Sequence, residues 1–323
     1  MEVHFILGPP ASGKTEQTEK FTSKGFVRLN RDLESGRTLD LLPKMKDALK
    51  NGKSVVMDNL FSTAKKRKPF LDTAKSLGAE CNATLMGTSI EEAQINALHR
   101  MWNRYGCIFL TSDDIREHAE AKKDPNVFPI AVLFVYRKEC EKPSTDEGFS
   151  SIQKEKFVRR PLGPEYTNEA IIFDYDGTLR QVAGGGKWPE HPDDVELLPN
   201  RKSVLKDLVN DWPIILGVSN QSPIAKGLPV ATAIACFERT NKLLGIDIEY
   251  HFCPHRVPPI SCYCRKPQSG LGVLLIEKHK LNPAKCLFVG DQTSDKTFAS
   301  RLGFQYADAE DFFPLYKKHQ ESK

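Results

Sequence analysis

Nowhere in its 323 residues does the chain string together the ~20 apolar side chains that a helix needs to cross a bilayer. The opening MEVHFILGPP has too short an apolar stretch, and no basic leader, for a signal peptide. A cytosolic or nuclear protein is therefore expected, neither secreted nor held in a membrane. Charge of one sign is scarce as well: 46 Lys and Arg against 42 Asp and Glu leave only +4, which tolerates a polyanionic partner without demanding one. The densest basic run, KKRKP at Lys65–Pro69, fits either a nuclear-import signal or the solvated start of a helix. With 40% hydrophobic and 27% charged residues, and 21 prolines spread along the chain, the composition excludes a disordered or fibrous protein. The length exceeds what one hydrophobic core usually supports, so two domains are expected.

The first half carries a phosphate-binding pattern. VHFILGPPASGKT is an apolar strand running into Gly8-x4-Gly13-Lys14-Thr15 and then a helix. Glycines let backbone N–H groups curl around phosphate oxygens, and the helix N-terminus adds positive potential. Lys14 is placed to reach the terminal phosphates of ATP, and Thr15 to hold magnesium. A second strand, KSVVMDN, delivers Asp58 and Asn59 to the carboxyl edge of a parallel sheet, where ligands of such folds bind. In FVRLNRDLESGR, Asp32 is either a carboxylate able to take a proton from an attacking hydroxyl or a surface residue capping a helix. TSIEEAQINALHRMWNRYG reads as a helix capped by Thr88 or Ser89, with Arg100 and Arg104 one turn apart on one face. Those guanidiniums suit a phosphate-clamping lid, or simply a solvated basic stripe.

GPPASGKT, LNRD, VVMDN, EEAQINALHRMWNRYG and EKPSTDEGFSSIQKEKF, in this order across residues 1 to about 160, together resemble the kinase domain of polynucleotide kinase/phosphatases. The resemblance implies that Lys14 and Thr15 bind ATP and magnesium and that Asp32 is the general base for a nucleic-acid 5′-hydroxyl. It also implies that Arg100 and Arg104 form the lid. The bacteriophage pattern has an arginine three residues after the base, where this chain has Ser35, with Arg37 two residues further on; Arg37 is the candidate contact to the acceptor strand.

Two prolines and a glycine in FVRRPLGPEYTNE place a seam near Leu162, dividing the chain into domains 1–162 and 163–323. Beyond it, AIIFDYDGTLR is a buried strand ending in Asp174-x-Asp176; side chains two apart share a face, so both carboxylates address one site. This stretch resembles the nucleophile motif of the haloacid dehalogenase superfamily, and three further segments follow in the matching order. WPIILGVSNQS supplies Ser219, with Asn220 and Gln221 beside it, as a phosphate donor; CRKP supplies Arg265 and Lys266; CLFVGDQTSD supplies Asp291 and Asp295. The resemblance implies that Asp174 is phosphorylated and that Asp176 protonates the leaving oxygen and then activates water. Lys266 neutralises the phosphate, while Asp174, Asp176 and Asp291 bind magnesium, with Asp295 in an outer position.

Three of the eight cysteines lie in CPHRVPPISCYC. In a reducing compartment, clustered thiols with a histidine point to a metal rather than a disulfide. Cys253, His255, Cys262 and Cys264 make a complete tetrahedral set for zinc with no position left for substrate, hence a structural clip over 253–264 that orders a proline-rich segment and holds Arg265 and Lys266. The same pattern before CRKP looks like the zinc loop of superfamily phosphatases acting on histidinol phosphate and heptose bisphosphate. Cys81, Cys107, Cys140, Cys236 and Cys286 read as small core residues.

The expected architecture is α/β, two domains each with a mostly parallel sheet flanked by helices. The expected activity is nucleic-acid end healing: ATP-dependent phosphorylation of 5′-hydroxyls and magnesium-dependent hydrolysis of 3′-phosphates, on DNA or RNA ends, with a nucleic-acid ligase as a candidate partner. A kinase/phosphatase of small sugars or nucleosides, and a repair scaffold with one dead site, are the alternatives.

Overall fold

The computed structural model describes residues 1–34 and 36–321; Ser35 lies outside the described residues. Contacts group Met1–Ala97 with Ile115–Arg160 as one unit, and Leu98–Asp114 with Pro161–Lys323 as the other. The division after Arg160 falls beside the expected seam near Leu162. Residues 98–114, by contrast, group with the second unit, to which His99 is tied through Glu277 and Leu110 O through Tyr263 N at 2.8 Å.

The first unit is built on strands β1 (Glu2–Leu7), β2 (Val27–Leu29), β3 (Val55–Asp58), β4 (Glu80–Met86) and β5 (Ser151–Glu155). They form one parallel sheet in the order β2-β3-β1-β4-β5. A parallel sheet has helices on its faces and buries its central strands on both sides. Accordingly Val3, Phe5 and Ile6 of β1 and all four residues of β3 are buried. Phe5 packs edge-on against Phe61 and Phe149 at 5.3 and 5.4 Å. The basic run at Lys65–Pro69 does begin a helix, Ala64–Ser76, but it is not a uniformly solvated face. Arg67 is buried, and its Nε and Nη2 both donate to Glu147 at 2.7 Å.

The second unit has strands β6 (Ile171–Phe173), β7 (Arg180–Val182), β8 (Val195–Leu197), β9 (Ile215–Asn220), β10 (Glu249–Cys253), β11 (Leu287–Gly290) and β12 (Gln305–Asp308). Its main sheet is parallel, ordered β10-β9-β6-β11-β12, and β7 and β8 form a separate antiparallel pair. In both main sheets the first strand is central and the chain winds to one side before crossing to the other. The carboxyl ends of β1 and β6 are therefore the switch points at which such sheets bind ligands. No helix among the described residues is long and apolar enough to cross a membrane. Cys81, Cys236 and Cys286 are core residues as expected, whereas Cys107 and Cys140 are only half-buried, because each falls just past the end of a helix.

Candidate functional site

At the end of β1 the glycine-rich loop is held in a conformation that its residues dictate. Gly13 has φ of 88° and Ala11 of 59°, in the left-handed region. A Cβ on Gly8 would lie 2.7 Å from both Met86 Cβ and Ser12 Oγ, so only glycine fits. The helix Lys14–Thr22 follows at once. Lys14 Nζ donates to the carbonyls of Gly8 at 3.2 Å and Pro9 at 2.7 Å, and Thr15 is exposed in the first turn. Three contacts here carried no signal in the sequence. Thr88 Oγ1 donates to Ser12 O at 3.0 Å and Asn96 Nδ2 to Ala11 O at 2.9 Å, fastening the loop from β4's exit and from the helix Ile90–Tyr105. Ser12 Oγ is buried with no partner among the described residues. A polar loop braced from behind and carrying an unsatisfied hydroxyl is suited to an anion.

Asp32 sits in the short helix Arg31–Glu34, exposed, with its Oδ1 accepting from Arg31 Nη2 at 2.7 Å. Its backbone is fixed from both sides. Asn30 Oδ1 accepts from Asp32 N at 2.8 Å, and Asn59 Oδ1 accepts from Arg31 N at 2.9 Å. Asn59, expected as a substrate contact, thus spends its side chain on this turn and on Leu29 O. Asp58 turns inward to Arg28. Arg37 is highly exposed and caps its own turn with Asp40. Ser89 rather than Thr88 caps the helix Ile90–Tyr105, accepting from Glu92 N at 3.1 Å while Glu92 accepts from Ser89 N at 2.7 Å. Arg100 and Arg104 lie on the portion of that helix grouped with the second unit, where Arg104 is 5.7 Å from the Tyr105 ring and Arg100 is felt by the buried Tyr263 hydroxyl.

The carboxyl end of β6 gathers the second constellation. Asp174, Asp291 and Asp295 each bring a carboxylate oxygen within 4.8 Å of the others. Lys266 Nζ lies 2.8 Å from Asp174 Oδ1 and 2.8 Å from Asp295 Oδ1, and donates to Val218 O at 2.7 Å. Burial pushes the Asp174 carboxyl up to about 7 against the pull of Lys266, with Asp295 and Asp176 adding to the rise. Burial also works against the Lys266 ammonium, but Asp174 and Asp295 more than offset it and hold the lysine above its ordinary value. Three carboxylates facing one ammonium leave a formal charge that a divalent cation would neutralise, and their hard oxygens suit magnesium. Gly177, with φ of 87°, must be glycine because a Cβ there would meet Asp291 Oδ2 at 2.4 Å.

Two side chains depart from expectation. Asp176 lies outside the three-carboxylate cluster: its Oδ1 accepts from Arg180 Nε at 2.8 Å and its Oδ2 from Gln221 Nε2 at 2.6 Å. The buried Arg180, lodged 4.6 Å from the Phe237 ring and bonded to Thr240, therefore orients Asp176. Nothing in the local pattern marked it. Asn220, expected as a substrate contact, instead clamps the backbone of Lys266: its Nδ2 donates to Lys266 O at 3.1 Å and its Oδ1 accepts from Lys266 N at 3.0 Å. Ser219 is buried and its Oγ accepts from Gln221 Nε2 at 3.0 Å.

Cys253 ends β10, and Cys253, His255, Cys262 and Cys264 bring their ligand atoms within 4.8 Å of one another. The Cys253–Cys262 Sγ separation is 3.7 Å, and His255 Nδ1 lies 3.5 and 3.2 Å from the Sγ atoms of Cys253 and Cys264. A tetrahedron with metal–sulfur bonds of about 2.3 Å has sulfur–sulfur edges of roughly 3.8 Å, so the donors fit zinc; a disulfide would need about 2.05 Å. Arg265 Nη1 donates weakly to His255 O at 3.4 Å, tying the residue before Lys266 to the loop.

Residues 169–313 match the family model of polynucleotide kinase 3 phosphatase. The chain is 31% identical over 140 residues to a probable D-glycero-D-manno-heptose-1,7-bisphosphate 7-phosphatase of Thermoplasma volcanium, covering 42% of this chain and 93% of that protein. Through this half it belongs to the haloacid dehalogenase-like phosphatases. The heptose-bisphosphate phosphatase of Pseudomonas putida is 33% identical over 145 residues, 42% of this chain and 78% of its own. A bifunctional polynucleotide phosphatase/kinase of Schizosaccharomyces pombe is 24% identical over 157 residues, 48% of this chain but 34% of its own. Among solved structures, a chain of the Pnkp1/Rnl/Hen1 RNA repair complex aligns over 96% of this chain and 97% of that one, at 17% identity and a TM-score of 0.32. As a haloacid dehalogenase-like phosphatase the chain has its four motif segments brought to one sheet edge, with Asn220, Arg180 and Gln221 as the supports that the motifs alone did not reveal.

Proposed function

We propose that the chain heals nucleic-acid ends, removing a 3′-phosphate at the Asp174 centre and phosphorylating a 5′-hydroxyl from ATP at the Lys14 loop. The observation that carries the reading is the Asp174–Lys266–Asp291–Asp295 constellation lying within the residues that match the polynucleotide kinase 3 phosphatase model. In the phosphatase half-reactions, an oxygen of Asp174 attacks phosphorus as the bond to the leaving oxygen breaks, and Asp176 gives that oxygen its proton. Asp176 then takes a proton from water, which attacks the phosphoaspartate and returns Asp174 and inorganic phosphate. Arg180 and Gln221 hold Asp176 for both transfers, while Lys266 keeps its ammonium against the nucleophile and Ser219 offers a hydroxyl to the phosphoryl oxygens. Asp174 and Asp291 would hold magnesium, with Asp295 beyond them; the ion supplies charge neutralisation at the phosphoryl group when bound.

For the kinase, Asp32 would accept the proton of the attacking 5′-hydroxyl. Lys14, Gly8 and Gly13 would cradle the ATP phosphates, Thr15 would hold magnesium, Arg100 and Arg104 would serve as the lid, and Arg37 would meet the acceptor strand. The four donors Cys253, His255, Cys262 and Cys264 would hold a structural zinc. Native mass spectrometry is expected to find one zinc per chain, lost in C262S/C264S, with phosphatase activity falling at least tenfold and kinase activity spared. A stable, active phosphatase without metal would remove the clip.

The test of the whole reading is incubation with labelled ATP and oligonucleotides bearing 5′-hydroxyl and 3′-phosphate ends, beside small sugar phosphates. End healing is expected, weakening as salt rises. A second reading, hydrolysis of a small sugar phosphate, is favoured by the identity to heptose-bisphosphate phosphatases and by the four-ligand loop. Salt-insensitive turnover of sugar phosphates with none of oligonucleotides would establish it in place of the first.

A further inference from the structure

We infer that Trp188, flanked by Lys187 and Lys226, is the platform on which the terminal nucleobase stacks while its 3′-phosphate enters the Asp174 centre; this rests on the nucleic-acid reading above. The loop leaving β7 runs through Gly184, Gly185 and Gly186, with φ of 76°, 90° and 147°. Three successive glycines in the positive region bend the chain sharply and present Lys187 and Trp188 beyond the bend. The turn Ile224–Lys226 leaves β9, and its tip returns to the same place: Lys226 Nζ is 4.7 Å from the Trp188 ring, and Lys187 Nζ is 5.5 Å from it.

Both loops start from residues that hold Asp176. β7 begins at Arg180, which holds Asp176, and the β9 turn begins at Gln221, which holds the same carboxylate. Arg180 and Gln221 take opposite oxygens of Asp176, so the two loops leave from residues that grip the same carboxylate. Among the described residues neither Lys187 nor Lys226 makes an ion pair or a side-chain hydrogen bond, and the indole is partly exposed. A partly exposed indole with two ammoniums near its ring, carried on loops that leave the residues holding Asp176, complements what a nucleotide presents: a base and a chain of phosphates.

The experiment compares KM and kcat for release of phosphate from a 3′-phosphorylated oligonucleotide and from the same strand with an abasic terminal nucleoside. W188A is expected to raise KM for the intact strand about tenfold with kcat within about twofold, and W188F to restore most of the loss. On the abasic strand W188A should change KM by less than about twofold, because the contact it removes is already absent. An equal rise on both strands, or none on either, overturns the platform while leaving end healing intact. A wild-type protein that turns over heptose bisphosphate but no oligonucleotide overturns the end-healing reading, and the platform with it.

Discussion

Replacing Asp174 by asparagine is expected to lower phosphate release by at least about 10³-fold and to leave phosphorylation of 5′-hydroxyls within about twofold. The substitution keeps the shape of the side chain, and the amide oxygen can still accept from Lys266, which also retains Asp295 at 2.8 Å. What disappears is the anionic oxygen that attacks phosphorus and one of the carboxylates available to a cation. Because three carboxylates crowd one ammonium, removing one charge should hold or raise the melting temperature of the metal-free protein. The loss would then be chemical rather than structural. Single-turnover measurement of both activities on one preparation checks this. Retention of more than about 1% of phosphatase activity would displace Asp174 from the role of nucleophile, and a parallel loss of kinase activity would mean that the two reactions share a site.

Lys14→Ala should produce the reverse pattern, lowering kinase activity by roughly 10²–10³-fold while phosphate release persists. The ammonium donates to the carbonyls of Gly8 and Pro9, at 3.2 and 2.7 Å, and so stays at the loop where phosphates would lie. Deleting it leaves the loop's shape to Gly8, Gly13 and the braces from Thr88 and Asn96. Lys14→Arg should rescue little, since the planar guanidinium is a poor substitute for a compact ammonium in a tight loop. Rates of 5′-phosphorylation at saturating ATP, set beside the phosphatase rates of the same samples, decide the matter. Undiminished kinase activity would locate the nucleotide elsewhere.

The parts of these sites that could be read from the sequence are those whose spacing is forced by geometry. Asp174 and Asp176 sit at a strand end, the glycine-rich loop joins a strand to a helix, and CPHRVPPISCYC holds four ligands within twelve residues. Each is a local pattern: the glycine-rich loop does join a strand to a helix and the four ligands do gather, whereas of the two aspartates only Asp174 joins the carboxylate cluster. What escaped was long-range. Asn220 follows Ser219 and so looked like a second phosphate donor, yet the group it actually meets is the Lys266 backbone, 46 positions along the chain. Arg180 carries no motif, and its value as the holder of Asp176 depends on being sealed under Phe237 and Thr240, which no local pattern encodes. Asp176 offered two oxygens to any nearby partner, and only the fold decided that Arg180 and Gln221 would take them.

The allocation of residues 98–114 constrains how the polypeptide can be divided. The main chain passes between its two units three times, so scission of one peptide bond after Arg160 would leave residues 98–114 on an N-terminal fragment, covalently apart from the unit with which they group and from Glu277, the partner of His99. The C-terminal fragment would in turn lose the carbonyl of Leu110, to which Tyr263 donates at 2.8 Å from the middle of the cysteine loop. Expression of the halves as independent proteins therefore calls for grafting this segment onto the C-terminal piece, and a limited-proteolysis nick in the linker should leave a noncovalent complex rather than two dispersed products.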